Sequence, residues 1–510
     1  MLKKLRVALA ILFWLGITLL FLDFTGALHG YLGWMAKLQF LPAVLAVNVG
    51  VIVGLVLLTL VFGRVYCSVI CPLGVFQDGI SWLRAHKDKK AYTYKKEAKW
   101  LRYGVWAVFV IALVAGIHVI VTVLAPYSAY GRMVQNLLQP VYLWCNNLFA
   151  GMAERAGSYA FYEKEVWLRS LPTFLVAVVT LVVIVILAFR GGRTYCNTIC
   201  PVGTTLSFFS RFAMFRPMID ESQCVRCHSC EHKCKAQCIE ITKERVHIDH
   251  SRCVDCFDCI DTCPKGGLKY RFAWGGKTPG QAGSDKGQAG SDKGNVVPDA
   301  DGASRRAMIA GTVAMVGAAA LKGVEARAQG AAKKVDGGLA DILPKQAPER
   351  ETPVTPPGSQ SVKDFYRRCT ACQLCVAECP NNVLRPSGSL DRLMQPEMSF
   401  EKGFCRPECT RCSELCPAGA IRKIGREEKT QYHIGTARVN PDLCLEATGQ
   451  SACGKCAQIC PSGAIQLVSS GEHRIPAVAE EVCIGCGACE YLCPVRPISA
   501  ITVNGRTQHI

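Results

Sequence analysis

The cysteines are the residues of this chain whose type and spacing could do chemistry. Thirty cysteines occur among 510 residues, and twenty-four of them fall into six groups of four. The short, repeated spacings within each group are those that thiolates need to hold an iron–sulfur cluster. They indicate metal-bound thiolates rather than disulfides. The sequence therefore predicts [4Fe–4S] clusters, and it contains no dinucleotide, P-loop or covalent-haem motif beside them.

Two of the groups follow each other within residues 216–272 and repeat the C-x2-C-x2-C-x3-C run of bacterial two-cluster ferredoxins, an α+β domain. In that arrangement the fourth cysteine of each run binds the other cluster. We therefore expect one cluster at Cys224, Cys227, Cys230 and Cys263, and a second at Cys253, Cys256, Cys259 and Cys234. Lys235 stands where proline usually follows, and Cys238 is expected to be a packed thiol rather than a ligand.

Four further groups lie within residues 362–510 and predict an α+β polyferredoxin domain with four clusters. The first and fourth groups are regular, whereas the second opens with one extra residue and the third with a wide gap. The candidate ligands are Cys369, Cys372, Cys375, Cys379, Cys405, Cys409, Cys412, Cys416, Cys444, Cys453, Cys456, Cys460, Cys483, Cys486, Cys489 and Cys493. This order resembles four-cluster electron-transfer subunits, which suggests pairing of first with fourth and second with third; sequential pairing is the alternative.

A twelve-residue motif occurs twice in the first 215 residues. GRVYCSVICPLG (63–74) and GRTYCNTICPVG (192–203) agree at eight of twelve positions. The i,i+4 spacing places both thiols of a copy on one helix face, and we expect Cys67/Cys71 and Cys196/Cys200 to lie near each other around a pseudo-twofold axis. Four converging thiolates suit a soft metal or an iron–sulfur centre. Alternatively, these cysteines are buried small residues at helix ends.

Long apolar segments must position these cysteines. Four runs are long enough to cross the ~30 Å hydrocarbon layer of a membrane as helices: Val7–Leu22, Leu41–Phe62, Leu101–Leu124 and Leu171–Phe189. The net charge of +18 would suggest nucleic acid in a soluble protein, but the basic residues cluster at the ends of the apolar runs, which is the positive-inside pattern. The sequence therefore predicts a four-helix transmembrane bundle over 1–215 with a cytoplasmic N-terminus, and no nucleic-acid partner.

An export signal lies in the middle of the chain. Residues 304–328 combine Arg305-Arg306, a Gly/Ala-rich apolar run and Ala326-Arg327-Ala328, the pattern of a twin-arginine signal. Flexible linkers flank it at 273–303, where GQAGSDK occurs twice, and at 329–361. Four crossings return the chain to the cytoplasm, where such a signal is read. We therefore expect an inner-membrane protein with a cytoplasmic first ferredoxin domain and a periplasmic second one. Cleavage after Ala328 and retention as an anchor both remain open.

A membrane quinol is the natural electron donor for such a chain, and its oxidation requires a proton acceptor. His29 and His118 lie near the outer ends of their segments, and an ionisable group inside an apolar run is often functional; alternatively, each histidine bonds a backbone carbonyl. The two ferredoxin domains would be separated by ~30 Å of lipid, too far for one tunnelling step. The quinone pool, the repeated cysteines or a haem could carry electrons between them.

Residues 1 to about 272 resemble the NapH family of membrane quinol dehydrogenases, and residues 304–510 resemble the NapG family of exported four-cluster ferredoxins. The resemblance implies a natural fusion of the two. It implies that electrons pass from quinol to a periplasmic reductase or multihaem c-type cytochrome of a nitrate-reductase-type respiratory chain. Polyferredoxins with CxxxCP motifs also resemble maturation factors for periplasmic or membrane metalloenzymes. Electron entry from a cytoplasmic donor into the quinone pool is the third reading.

Overall fold

The computed structural model describes residues 1–87, 92–158, 161–242, 245–274, 334–335, 341–470 and 473–509. The chain divides into two compact units, Met1–Ala273 with Lys345–Ile510, and Trp274–Pro344. In the second unit, β5 (Lys334–Val335) pairs antiparallel with β6 (Asp341–Ile342), and Lys334 opposes Ile342. The predicted twin-arginine signal and the repeated GQAGSDK linker lie outside the described residues.

Four apolar helices build the helical domain, which is the part of the first unit before residue 215: α1 (Leu2–Leu22), α4 (Val49–Phe62), α6 (Lys99–Ala115) and α10 (Leu171–Gly191). By length and composition, α1 and α10 could cross a membrane, with 21 residues each. At about 1.5 Å per residue, such a helix is roughly 30 Å long. The 14-residue helix α4 is apolar but shorter.

The second and third predicted segments are not continuous helices. In the second, α3 (Phe40–Leu45) is followed by a break at Val47, whose φ is 53°, and α4 restarts where the Asn48 side chain accepts the Val51 N–H. In the third, Gly116 ends α6 with a φ of 76°, a left-handed conformation that favours glycine and terminates helices. Of the four predicted segments, the first and the fourth therefore form single helices long enough to cross a membrane, and the second and third are interrupted.

The interruptions create two helical hairpins that enter the helical domain. The first consists of α2 (His29–Lys37) and α3 and turns at Gln39; the second consists of α7 (His118–Leu124) and α8 (Pro126–Met133) and turns at Ala125. All eight residues of α8 are buried. A π-helix (Val134–Leu138) and α9 (Gln139–Arg155) continue the second hairpin.

Each copy of the twelve-residue motif folds as a short helix followed by a proline-initiated helix. The first copy forms a π-helix (Tyr66–Ile70) and then α5 (Pro72–Lys87), and the second forms α11 (Thr194–Thr198) and then α12 (Pro201–Ser210). Proline suits the first position of a helix because its missing N–H would be unpaired there anyway. Both prolines therefore start new helices directly after a cysteine.

The first ferredoxin module follows the helical domain and consists of two antiparallel two-stranded sheets and two short helices. Strand β1 pairs with β4, so that Phe215 opposes Phe272, and β2 pairs with β3. The elements are β1 (Phe215–Ile219), α13 (Ser229–Lys233), β2 (Ile239–Ile241), β3 (Val246–Ile248), α14 (Asp258–Thr262) and β4 (Leu268–Phe272).

The second ferredoxin module occupies the end of the chain and is built from short helices and two-stranded antiparallel sheets. Strands β7 and β8, β9 and β12, and β10 and β11 pair with each other. The elements are α15 (Val362–Arg368), α16 (Leu374–Ala377), β7 (Leu384–Pro386), β8 (Pro396–Met398), α17 (Arg411–Leu415), α18 (Arg426–Lys429), β9 (Gly435–Val439), α19 (Lys455–Ile459), β10 (Ile465–Ser470), β11 (His473–Val478), α20 (Ala488–Leu492) and β12 (Ile501–Gly505), with 3-10 turns at Leu390–Arg392 and Pro441–Leu443.

The first ferredoxin module contacts one end of the helical domain. At the start of α1, Lys3 Nζ lies 2.9 Å from Asp261 Oδ2, and near the start of α6, Arg102 Nη2 donates to Ser251 O at 3.0 Å. After the end of α10, the Arg193 N–H donates to the Lys235 carbonyl oxygen at 2.8 Å. This module therefore lies where α1 and α6 begin and α10 ends.

The second ferredoxin module contacts the opposite ends of the same helices. Gln139 Nε2 donates to the carbonyl oxygen of Phe21, at the end of α1, at 3.3 Å and to that of Ala377 at 3.1 Å. Just before α10, Arg169 Nη1 donates to the carbonyl oxygen of Val376. The helical domain thus separates two cysteine-rich modules by the length of a helix such as α1, roughly 30 Å.

Candidate functional site

The cysteines of the first ferredoxin module surround two cavities. Cys224, Cys227, Cys230 and Cys263 line one of them, and Cys234, Cys253, Cys256 and Cys259 line the other. The fourth cysteine of each run therefore crosses to the other group, as its spacing leads one to expect. Cys238, expected to be packed, is buried but borders the second cavity, with its sulfur 3.6 Å from Cys234 Sγ.

The loops around these cavities hold an uncommon backbone conformation on both sides of the second cysteine. Arg226 and His228 have φ values of 52° and 59°, and Asp255 and Phe257 have values of 49° and 61°. Left-handed conformations cost a non-glycine residue roughly 1–2 kcal/mol. Other interactions of these loops must therefore offset this conformational cost. In the equivalent loop of the second module, the Ala371 N–H points to Cys369 Sγ at 3.4 Å, which shows how such loops aim backbone donors at sulfur.

In the second ferredoxin module the third and fourth cysteine groups pair. Cys444, Cys453 and Cys456 share a cavity with Cys493, and the fourth group contributes its other three cysteines to a cavity that it shares with Cys460. The expected pairing of first with fourth group is therefore wrong. The reason is that α19 and α20, each of which ends at the fourth cysteine of its group, pack against each other.

The first and second groups pair in the same way. Cys369 and Cys375 of the first group and Cys412 and Cys416 of the second group pack against the same cluster of buried side chains, formed by Phe365, Ala420 and Ile421. Helices α16 and α17 bring these groups together by packing against each other. The cysteine groups of this module are therefore arranged as two successive pairs, the sequential alternative.

The structure brings the two copies of the twelve-residue motif together through their arginines. Arg193 Nη1 donates to the carbonyl oxygen of Cys67 at 2.7 Å, and Arg64 Nη2 donates to that of Cys196 at 3.3 Å. The same two guanidinium groups approach sulfur: Arg64 Nη2 lies 3.9 Å from Cys67 Sγ, and Arg193 Nη1 lies 3.8 Å from Cys196 Sγ. The arginine of each copy thus donates a hydrogen bond to the other copy, and the two copies are related by a pseudo-twofold axis. We call Cys67, Cys71, Cys196 and Cys200 the cysteine quartet.

The tyrosines that precede these cysteines reach the tips of the two helical hairpins. Tyr66 Oη accepts the Phe40 N–H at 3.1 Å and donates to Gln39 Oε1 at 3.2 Å. Tyr195 Oη donates to the Leu124 carbonyl oxygen at 3.3 Å. Each hairpin therefore ends beside the cysteine quartet, one on each copy of the motif.

The electrostatics of the cysteine quartet are set by buried arginines. Arg64 and Arg193 are fully buried. Arg193 is paired with Asp78 at 2.8 Å, and although burial opposes ionisation, Arg193, Lys235 and Arg6 hold the pKa of Asp78 well below its usual range. Arg64 makes no ion pair with a carboxylate in the described part of the chain. Burial raises the pKa of the Cys67 thiol, and the positive charges of Arg64 and Arg193 oppose this rise.

A third buried cation lies where the helical domain meets the second ferredoxin module. Arg132 of α8 is fully buried, and its Nη1 donates to the Thr122 carbonyl oxygen at 2.8 Å, but its Nε and Nη2 have no hydrogen-bond partner. Its charge interacts with the Cys372 thiol. The neighbouring Gly131 packs so closely that a Cβ there would lie 2.5 Å from the Cys372 carbonyl oxygen. Arg132 therefore places a positive charge beside the first cysteine group.

The cysteine groups suit clusters better than single ions. Across the described ranges, no three His, Cys, Asp or Glu side chains are grouped so that they could hold one metal ion. The thiols instead surround cavities, and four thiolates around a cavity are what a [4Fe–4S] cluster requires. The residues present therefore fit the cluster that the spacing predicts.

The two histidines proposed for quinol chemistry lie apart from the cysteine quartet. His29 begins α2 and His118 begins α7, so each starts a hairpin whose tip is at the quartet. Nδ1 of His29 is buried without a hydrogen-bond partner, and burial and Lys37 lower the pKa of this imidazole. No hydrogen bond or ring contact joins the two histidines in the described chain.

Several residues of the site were not identified from the sequence. Arg64, Arg193, Tyr66 and Tyr195 occupy identical positions in the two copies of the motif, so the repeat itself was the signal that could have identified them. Arg132 had no comparable signal, because an arginine in a mixed segment resembles any helix-end residue. Asp23, directly after α1, is buried and accepts the N–H groups of Thr25, Gly26 and Leu28 as a turn-forming residue.

Family models match both halves of the chain. A model described as a 4Fe-4S binding domain matches residues 44–90 and 173–218, each of which contains one copy of the twelve-residue motif. A model described as a 4Fe-4S dicluster domain matches residues 404–464 and 451–496 in the second ferredoxin module. [4Fe–4S] binding is therefore supported independently of the spacing argument.

The chain is similar to several ferredoxin-type proteins. It is 30% identical over 169 residues to the ferredoxin-type protein NapF of Escherichia coli K12, which is 33% of this chain and 96% of NapF. It is 30% identical over 150 residues to the methylamine utilization ferredoxin-type protein MauM of Methylobacillus flagellatus, 28% of this chain and 64% of MauM. It is 34% identical over 97 residues to the uncharacterized protein MJ0749 of Methanocaldococcus jannaschii, 19% of this chain and 38% of that protein. With nearly all of NapF matched and with cavities lined by four or five cysteines, the chain belongs to the family of iron–sulfur, ferredoxin-type electron-transfer proteins that includes NapF.

Proposed function

We propose that the protein oxidises a membrane quinol and passes the electrons through [4Fe–4S] clusters to a periplasmic reductase or c-type cytochrome. One observation carries this proposal: two cysteine-rich modules contact opposite ends of the same apolar helices, and the cysteine quartet lies between them. A protein that only exchanged electrons between soluble partners would need no such separation. In the proposed fusion of NapH-like and NapG-like parts, this separation of the two modules is built into one chain.

Six clusters are proposed, with the twenty-four grouped cysteines as ligands. The group around Cys253 borders the quartet, because Asp255 Oδ2 accepts the backbone N–H of Arg64 at 2.8 Å, and Arg64 reaches the quartet sulfurs. On the other side, the charge of Arg132 interacts with both Tyr195, which precedes Cys196, and Cys372. A soft metal or iron–sulfur centre held by the quartet is therefore the proposed intermediate carrier between the modules, and it would divide a ~30 Å crossing into shorter steps.

The membrane location and orientation are also proposed. Helices α1 and α10 are the best candidates for spans, and the basic residues between α5 and α6 favour a cytoplasmic location for the first ferredoxin module. The second ferredoxin module would then be periplasmic, as a twin-arginine signal at 304–328 requires. His29 is the preferred proton acceptor of the two histidines, because its buried Nδ1 has no partner and its hairpin leads to the quartet.

One observation favours a second direction of electron flow. Cys227 is exposed, so the cluster proposed at Cys224, Cys227, Cys230 and Cys263 lies at the surface of the first ferredoxin module. A soluble cytoplasmic donor could therefore reach it directly, with the quinone pool as the sink.

The test uses full-length protein in lipid nanodiscs, monitored by the low-temperature signals of reduced iron–sulfur clusters. A quinol analogue should reduce the clusters, and the double substitution Cys196→Ser with Cys200→Ser should slow this at least tenfold while the six clusters remain. Cys145→Ser, which changes a cysteine outside all groups, is the matched control. Unchanged rates in the double variant would remove the quartet from the route. Reduction by a soluble donor but not by the quinol analogue would select the second direction.

A further inference from the structure

Lys429 is a buried lysine whose ammonium group is enclosed by a cysteine loop of the second ferredoxin module. Its Nζ lies 3.2 Å from Cys405 Sγ and also donates to the carbonyl oxygens of Arg406 and Cys409. An ammonium group has three N–H donors, so each has an acceptor. The residue is 6% exposed, and water therefore contributes little to its solvation.

The loop that encloses Lys429 is the one with irregular spacing. Cys405 and Cys409 are separated by three residues, whereas the first two cysteines of the regular groups are separated by two. Both carbonyl oxygens that accept from Lys429 belong to this longer loop. The loop with the extra residue therefore provides two carbonyl oxygens that bind an ammonium group beside the first cysteine.

The charge of Lys429 has no carboxylate partner. Among the ion pairs of the described residues, none involves Lys429, and its acceptors are two carbonyl groups and one sulfur. Because an isolated buried cation is strongly unfavourable, a negative charge must lie close to it. The Cys405 thiolate, bound to an anionic cluster, is the group in position to supply that charge.

We propose that Lys429 raises the reduction potential of the cluster held by Cys405, Cys409, Cys412 and Cys379. Reduction adds one electron and no proton to the cluster and makes it more negative. A fixed cation and an N–H···S hydrogen bond therefore stabilise the reduced form more than the oxidised form. This inference rests on the proposed cluster ligands but not on quinol as the donor.

The consequence concerns where electrons rest in the second ferredoxin module. The first cysteine group lies against the helical domain, so its cluster would receive electrons first, and the cluster beside Lys429 is its immediate partner. By raising the potential of this partner, Lys429 favours transfer of the electron one step away from the helical domain, and it acts against the effect of the Arg132 charge on the first cluster. Return transfer towards the quartet would be faster without the Lys429 charge.

The test is a mediated redox titration of the full-length protein, followed by the signals of its reduced clusters. Lys429→Gln should leave the iron content unchanged and shift the potential of one cluster to more negative values. Lys429→Arg, which keeps the positive charge, should have a cluster potential close to that of the wild-type protein. Lys455→Gln is the matched control, since Lys455 is exposed and precedes the ligand Cys456. Potentials in Lys429→Gln that match those of Lys455→Gln would overturn the proposal.

A second measurement covers the case in which Lys429→Gln loses iron. Wild-type protein labelled with 15N only at the lysine side-chain nitrogen should show hyperfine coupling from that nitrogen to one reduced cluster of the second module, the one whose signal is lost in Lys429→Gln. The coupling should disappear in Lys429→Arg, which carries no label at this position. Absence of the coupling, or its presence on another cluster, would overturn the proposal. Neither measurement uses quinol, so a failure of the proposed donor would leave this result unaffected.

Discussion

Arg193 donates to the carbonyl oxygen of Cys67 at 2.7 Å and so connects the two copies of the twelve-residue motif. This contact is possible because the last residue of the first copy is glycine: a Cβ at Gly74 would lie 2.6 Å from Arg193 Nη1 and 2.1 Å from the Cys67 carbonyl oxygen. Gly203 has the equivalent position in the second copy, against Cys196 and Arg64.

The first prediction follows from this close approach. Gly74→Ala should lower the melting temperature of the protein, because overpacking a buried contact typically costs about 1–3 kcal/mol. Gly79→Ala on the same helix is the control, since a Cβ there meets nothing within 4 Å, and it should be neutral or stabilise by up to about 1 kcal/mol. Thermal unfolding in detergent checks both variants. Equal effects at the two positions would contradict the predicted contact.

The second prediction concerns the pH dependence of the Asp78 cluster. Asp78 faces Arg193, Arg6 and Lys235, and its pKa is lowered in the folded protein. The stabilisation from its ionised form is therefore fully present above the unfolded-state pKa of about 3.9 and is lost only as pH falls below it. Asp78→Asn should cost about 3–5 kcal/mol and shift the melting temperature by the same amount throughout pH 5–8. A shift that varies across this range would show that another group titrates.

The third prediction tests the role of Arg132 as a counter-charge. Arg132→Gln should shift the potential of the cluster proposed at Cys369, Cys372, Cys375 and Cys416 to more negative values, because a buried positive charge near Cys372 is removed. Arg155→Gln, at the exposed end of α9, should leave all potentials unchanged. Redox titration of both variants distinguishes these outcomes. A shift of equal size in the control would assign the effect to long-range charge rather than to Arg132.

The fourth prediction concerns the tyrosines that hold the hairpin tips. Tyr66→Phe removes a partner of the buried Phe40 N–H and of Gln39, and should cost about 1–3 kcal/mol, the cost of leaving such a group unpaired. Tyr195→Phe removes one bond to a carbonyl oxygen and should cost less, about 0.5–1.5 kcal/mol. Thermal unfolding gives the order of the two effects. The reverse order would mean that the second hairpin depends more on its tip than the first.

The fifth prediction concerns topology. Protease added to intact spheroplasts should cleave the second ferredoxin module, whereas the first ferredoxin module should become accessible only in inverted vesicles. The reason is that the two modules contact opposite ends of α1 and α10. Protection of residues 369–493 in spheroplasts would exclude the proposed orientation and the proposed periplasmic partner.

The sequence predicted those features that are encoded in local spacing. The cysteine groups are defined by residues a few positions apart, and the cavities place Cys234 and Cys263 each beside the other run, as the two-cluster spacing predicts. The helix breaks at Val47 and Gly116 were missed because a run of apolar residues has the same appearance whether it is one helix or two. Apolar composition specifies burial, and it does not specify where the backbone turns.

Features that depend on packing between distant elements were not predictable from spacing. The group pairing in the second ferredoxin module was wrong because it depends on α16 meeting α17 and α19 meeting α20. Lys429 lies twenty-four residues after Cys405, and no local pattern connects them. Arg64 and Arg193 were visible as repeated letters, but their exchange between copies is a property of the assembled fold.

The reciprocal arginines have a further consequence for how the helical domain can change. Their geometry is that of an isologous interface, in which residue i of one subunit contacts residue j of the other and the reverse, here contained within a single polypeptide. Each copy of the motif therefore depends on the arginine of the other copy for its hydrogen bonds. A substitution at either arginine therefore damages both halves at once, and the duplicated segments must tolerate or reject mutations as a pair.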